Sequence, residues 1–282
     1  MITLYVFDTA GSVIQTLAEK EPVRGLTSLK NRLYLLRGGV SSDQIEVYDS
    51  SDSYRFLRYL DVPGLGFAFD IVVCGRYHCA YISDTSNQCV HRVPLAGSEI
   101  TQWPVNDVPS CLSLTVKDTV LVTCRKVDMI KEFTTRGEFV REIELDEDVI
   151  SPWHTVQLCS GDFVVCHGDN TEQTSHRVCR VNSDGDVVGS YEGSGSQAMN
   201  TPSHMAVDEN EFVFVTDRNN GRILFLSPTL TYLGEVVSRE QLGWKPYRLS
   251  VDVNRRLLYV AVNEQNKPGD YTAGRVAVVK VQ

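Results

Sequence analysis

The chain has 282 residues, 42% apolar and 22% charged, a composition that excludes wholesale disorder. A formal net charge of −9 disfavours general binding to a phosphate backbone, and no apolar run reaches the roughly 18–20 residues a membrane-spanning helix needs. Valine occurs 38 times and alanine 10, so χ1-stiff β-formers outweigh the best helix former and an all-β class is expected.

Two short runs come first, Ile2 to Phe7 and Ser12 to Leu17, joined by Asp8-Thr9-Ala10-Gly11 in the manner of a hairpin. No basic segment precedes the first run, so no signal peptide is read; if the chain is complete at its N-terminus, a cytoplasmic protein is expected. A four-run pattern then recurs. Pro109 to Leu114 leads to Val120–Thr123, Met129–Phe133 and Phe139–Ile143. Pro152 to Val156 leads to Phe163–Cys166, Arg177–Val181 and Val187–Tyr191. Pro202 to Asp208 leads to Phe212–Asp217, Arg222–Leu226 and Tyr232–Val237, with Asp208-Glu209-Asn210 and Arg218-Asn219-Asn220-Gly221 as turns. The final unit has three runs, Tyr247–Val251, Leu257–Val262 and Arg275–Val281.

The first run of each unit aligns on Arg24, Asp70, Cys111, His154, His204 and Arg248, a period of about 45 residues. Four strands repeated at that period predict a six-bladed β-propeller of mostly four-stranded antiparallel blades, because radial packing buries both faces of sheets that cannot stand alone. The expected blades are approximately 22–64, 66–107, 108–147, 151–193, 201–240 and 244–282, in a single domain spanning 1–282. The N-terminal hairpin, 2–17, is expected to close the ring beside 275–281. That leaves one strand more than six four-stranded blades hold.

The stretch Gly193 to Asp208, followed by Val213-Phe214-Val215-Thr216-Asp217-Arg218-Asn219-Asn220-Gly221-Arg222-Ile223, resembles an NHL repeat. Ile82-Ser83-Asp84-Thr85-Ser86-Asn87 repeats its Asp-x-x-Asn part, and Arg177-Val178 and Arg275-Val276 its Arg-apolar part. The units anchored at Arg24 and Cys111 keep only the strand pattern. The resemblance implies an NHL-type propeller like the C-terminal domain of TRIM-NHL proteins, which recognise protein or RNA. No RING or B-box cysteine-histidine array is present, so ligase activity is not implied. Asp84 and Asp217 are expected to fix turns, with Arg222 reaching across the latter. The amidating lyase of the same fold uses three histidines on one divalent metal. Here His154 and His167 come from one unit, a departure from that pattern.

An antiparallel blade puts the start of its first strand and the end of its second on one rim. That gathers the candidate binding residues Arg24, Asp70, His154, His167, His204, Asp217 and Arg248, with Trp153 at a blade entrance. His154, His167 and His204 form the alternative metal set. Hydrogen-bonded rim residues are the simpler reading, and no cofactor is expected. No phosphate loop, Gly-x-Ser-x-Gly elbow or His-Glu-x-x-His is present. The eight cysteines lack a paired CxxC pattern and are expected as buried thiols, with Cys74 and Cys79 facing each other across Gly75-Arg76-Tyr77-His78. The expected function is a monomeric, non-enzymatic scaffold that binds a protein or peptide on one loop-lined face. A metal-dependent lyase or hydrolase and an RNA-binding propeller are the alternatives. Nucleic acid is disfavoured by the charge, and no membrane association is expected.

Overall fold

The computed structural model describes residues 11–38, 43–97, 99–168, 175–267 and 270–281. Its 24 described strands form six four-stranded antiparallel sheets. Strand β1 (Ser12–Lys20) is followed by the first sheet, β2 (Val23–Leu29), β3 (Arg32–Gly38), β4 (Asp43–Asp49) and β5 (Arg55–Leu60). The second holds β6 (Ala68–Cys74), β7 (Cys79–Asp84), β8 (Cys89–Pro94) and β9 (Thr101–Pro104), and the third β10 (Leu112–Leu114), β11 (Val120–Cys124), β12 (Met129–Phe133) and β13 (Phe139–Glu144). The fourth holds β14 (Pro152–Gln157), β15 (Phe163–His167), β16 (Arg177–Val181) and β17 (Val187–Tyr191), and the fifth β18 (Pro202–Val207), β19 (Val213–Asp217), β20 (Arg222–Leu226) and β21 (Tyr232–Val237). The sixth is β22 (Lys245–Asp252), β23 (Leu257–Lys267) and β24 (Asp270–Lys280), completed by β1.

The closure follows the sequence expectation in its second run. β1 pairs antiparallel with β24, from Ser12 opposite Lys280 to Lys20 opposite Gly274. The surplus run, Ile2 to Phe7, lies outside the described residues. Among the described residues, helix is confined to α1 (Arg239–Leu242) and two 3-10 turns. Ser238 caps α1 by accepting the Gln241 N–H, and Gly243 stops it at φ +73°. No described helix is long and apolar enough to cross a membrane.

Burial explains the strand patterns. Every residue of β7, β11, β15 and β19 is buried, which requires the near-continuous apolar runs seen in sequence. Outer strands such as β5 and β17 are largely half-buried or exposed. The buried apolar side chains fall into six clusters, each between two neighbouring blades; Leu121, Ile130 and Ile143, for instance, meet Phe163, Val165 and Cys179. A lone sheet would expose both faces, so the ring is the unit that folds.

The register of five inner strands breaks near its start. Shifts fall between Val23 and Gly25, Ala68 and Asp70, Pro152 and His154, Pro202 and Met205, and Pro246 and Arg248. The residues set out of register include Arg24, Phe69, Trp153 and Tyr247. A bulge re-aims a side chain and bends the strand, here around the channel mouth. We call the side on which the inner strands begin the upper face.

Candidate functional site: the channel and its upper mouth

The bulges set which anchor side chains line the channel. Asp70, 1% exposed, accepts the Leu112 N–H on Oδ2 at 2.9 Å, and its Oδ1 lies 3.4 Å from Arg248 Nε. Its Oδ2 is 3.9 Å from His204 Nε2. His154 Nδ1 accepts the Met205 N–H at 3.2 Å, while its Nε2 faces the Leu112 carbonyl at 3.2 Å. His204 Nδ1 accepts the Leu249 N–H at 3.4 Å. These contacts repeat one device. The anchors Asp70, His154 and His204 each take the backbone N–H just past the anchor of the next blade. A buried amide left alone would cost about 1–3 kcal/mol, so each bond ties a blade interface together.

Charge is distributed accordingly. Burial acts to raise the Asp70 pKa, but Arg248 and then His204 outweigh it and hold the carboxyl at about 2. Burial, then the neighbouring His204, pushes the His154 pKa well down, and burial lowers His204 against the opposing pull of Asp70. Both imidazoles are therefore neutral near pH 7. Arg248, 0% exposed, donates to the Tyr247 and Phe69 carbonyls and lies over both rings, 4.1 and 5.0 Å from their centroids.

The structure separates the three histidines grouped from sequence. His154 and His204 stack with centroids 3.9 Å apart and planes 10° from parallel. His167 does not join them. The bulge pairs it with Pro152 and sets His154 opposite Cys166, so His167 Nε2 lies 3.3 Å from Cys179 Sγ in the sheet interior. Burial pushes the His167 pKa down to about 4. Asp70 takes its place: Asp70, His154 and His204 offer ligand-type atoms within 4.8 Å of one another. Asp217 lies in a separate network.

As they stand, the His154 and His204 rings are not aimed at one common ion. Imidazole lone pairs lie in the ring plane, and two parallel stacked rings aim theirs in parallel rather than toward one ion. His154 also has one nitrogen accepting from Met205 and the other donating to Leu112. A second set, Asp84, Cys89 and His91, is buried as compactly. There Asp84 accepts the backbone N–H groups of Gly66, Ser86 and Asn87, the Asn87 amide and His91 Nε2, at 2.7–3.1 Å, which leaves little of the carboxylate for a cation.

Asp217 accepts the Asn200 N–H at 2.7 Å, Asn220 Nδ2 at 2.8 Å and Arg222 Nε at 2.7 Å. With Asp84 it fixes the turn after a second strand, as the sequence suggested. Arg24 pairs with Asp43 at 2.7 Å and lies 3.9 Å over the Phe67 ring. Trp153 is buried, donating from Nε1 to the Gly168 carbonyl. Cys74 and Cys79 are cross-strand partners, with Cys74 Sγ directed at Asp118 and Cys79 Sγ at the Tyr77 carbonyl.

Several mouth residues were not singled out from sequence. Arg125 lies 3.7 Å over the Trp153 ring, and Arg218 sits 6.0, 5.2 and 5.3 Å from the rings of Trp153, Tyr247 and Tyr271. The signal was a cation just past the end of a second strand, in Cys124-Arg125 and Asp217-Arg218. The lower end of the channel differs: Glu209, Glu211 and Val116 border a cavity of about 360 Å³.

Comparison with known proteins supports the fold. A catalytically inactive variant of virginiamycin B lyase from Staphylococcus aureus, solved with quinupristin, superposes at TM-score 0.63 with 10% identity, over 93% of this chain and 98% of that one. The WD40 β-propeller domain of Doa1 gives 0.62 with 15% identity, over 96% and 97%. A chain of a nidogen/laminin complex gives 0.63 with 12% identity, over 81% and 84%. No family model and no curated protein sequence matches the chain. The protein is thus similar in fold to propellers of several activities.

Proposed function

We propose that this protein is a non-enzymatic, NHL-type scaffold that holds a protein or peptide partner on the upper face of its ring. One observation carries the reading: the channel's imidazoles are engaged in holding neighbouring blades together. His154 and His204 each accept a backbone N–H, are stacked, and have pKa values held down by burial. General-base catalysis needs a free lone pair, and in each ring the accepting nitrogen, Nδ1, is already taken by a backbone N–H. Arg24 and Trp153 lie at the binding face, Asp70, His154, His204 and Arg248 form the layer beneath it, Asp217 fixes a turn at its rim and His167 packs within its own sheet. The Asp217-Asn220-Arg222 network supports the NHL assignment. Seven buried free thiols support a reducing, cytoplasmic setting.

The clustering of Asp70, His154 and His204 on a fold shared with lyases favours metal-dependent catalysis as a second reading. Metal analysis separates the two. Protein purified without added metal is expected to carry zinc well below one equivalent. Stoichiometric zinc, lost in a His154→Ala, His204→Ala double variant together with a measurable lyase or hydrolase activity, would make the enzyme reading primary.

A further inference from the structure

We propose that the upper mouth receives an acidic peptide, with a carboxylate taken by Arg218 between Lys245 and Arg125. This deepens the scaffold reading and rests on it. Arg218 follows directly on β19, half-buried within a collar of Trp153, Tyr247 and Tyr271. Its Nε is buried with no hydrogen-bond partner, and among the described residues no carboxylate pairs with its guanidinium. Burial lowers its pKa; Tyr247 opposes that, while Arg248 and Arg125 add to it. Lys245 Nζ donates to the neutral Asn219 Oδ1 at 3.1 Å, and its pKa too is lowered, by burial and then by Arg218.

Elsewhere in this molecule, several buried or half-buried arginines meet acids. Arg37 has Glu46, Arg222 has Asp217, Arg180 has Asp162 and Arg248 has Asp70. Arg218, like the half-buried Arg92 and Arg275, has no such acid among the described residues, and it sits with Lys245 and Arg125 at the mouth of a protein with nine surplus acidic charges. A guanidinium gathered with other cations in a partly dehydrated mouth is a prepared site for an anion, because water exclusion strengthens a charge-assisted pair. Its planar fork matches a carboxylate.

The surroundings select a peptide. Beside this cluster, Arg125 also borders a cavity of about 430 Å³ lined by Phe67, Phe69, Val108, Lys126 and Ser151. The carboxylate in that lining, Asp128, is engaged by the Ser151 N–H. Phe67 is 43% exposed, so an apolar side chain next to an acidic one finds a surface here. Single-stranded RNA fits less well. It needs ring faces on which bases stack, and Trp153 and Tyr247 are only 9% and 8% exposed, with guanidinium groups over them.

The test is fluorescence anisotropy with three labelled probes: the peptide Glu-Glu-Phe-Glu-Glu, the same peptide with Gln for each Glu, and a short oligouridylate. The acidic peptide is expected to bind the full chain more tightly than either of the others. Arg218→Gln should weaken it at least about tenfold, Arg218→Lys less, and Lys117→Gln, on the opposite face, not at all. Equal binding of the Gln peptide, tighter binding of the oligouridylate, no binding of the acidic peptide, or indifference to Arg218→Gln would each overturn the inference. The first leaves a scaffold of different specificity, while the scaffold reading itself falls only to the zinc result above. A melting temperature for Arg218→Gln close to that of the unaltered protein ensures that weakened binding is not unfolding.

Discussion

Two layers of the same channel handle buried charge in opposite ways. In the middle, Asp70 opposes Arg248, and His154 and His204 accept amides from the neighbouring blade. At the upper mouth, Arg218 and Lys245 face other cations and neutral groups. The middle layer is complete within the chain, so its polarity maintains the ring. At the mouth Arg218 has no acidic partner among the described residues, which is the basis for proposing that its charge is directed outward. The difference teaches that a polar residue in a propeller channel is read best by asking whether its partners already lie in the chain.

The largest expected effect tests the middle layer. Asp70→Ala strips Arg248 of its counter-charge in a fully buried setting and frees the Leu112 N–H. Breaking a buried pair from one side costs about 3–5 kcal/mol, so urea unfolding should show a loss of that size. A loss below about 1 kcal/mol, the value of an exposed pair, would mean that the layer does not hold the blades, and the contrast between the layers would fail.

Acid provides the next test, through the same groups. The pKa values of His154, His204 and His167 are lowered on folding, the last to about 4, against 6.5 unfolded. As pH falls through 6.5 the unfolded chain takes up protons that the folded chain refuses, so stability falls with pH from about 6.5 downward. Asp70 acts in the same direction lower down. Its folded pKa of about 2 lies below the ordinary 3.8, so its contribution is present above pH 4 and disappears toward pH 2. Urea midpoints measured from pH 7.5 to 4.5 should decline steadily. A flat profile would mean that the imidazoles are protonated in the folded ring and that the middle layer is open to solvent.

The fold was legible in the sequence because each blade repeats one demand: fully buried second strands such as Phe163–Cys166 and Val213–Asp217 leave apolar runs bounded by turn residues. Asp217 and Asp84 were readable as turn-fixing groups because their donors lie nearby in the chain or just before the same blade. The site was less legible. One register shift between Pro152 and His154 sends His167 toward Cys179 instead of the channel, and composition carries no mark of that bulge. The neighbours of His204 are Asp70 and His154, from two other blades, a contact that closure of the ring makes and no local spacing announces. Arg218 escaped notice because an arginine next to Asp217 in a polar turn looks like a solvated charge.

The smallest expected effect sharpens the contrast from the other side. Arg218→Gln removes a half-buried cation that, among the described residues, has no acidic partner and lies among like charges. It loses the attraction of three nearby rings, each worth about 0.5–1 kcal/mol at a partly exposed site. It also removes the desolvation of a charged group and its repulsion from Arg248 and Arg125. These changes oppose one another, so the net change in urea-unfolding stability should stay within about 1 kcal/mol, and raising the salt concentration should narrow any gain that relief of repulsion produces. A loss comparable to that of Asp70→Ala would place Arg218 in the ring's own framework. It would then have a structural partner within the folded chain, and the mouth would be as self-sufficient as the layer beneath it.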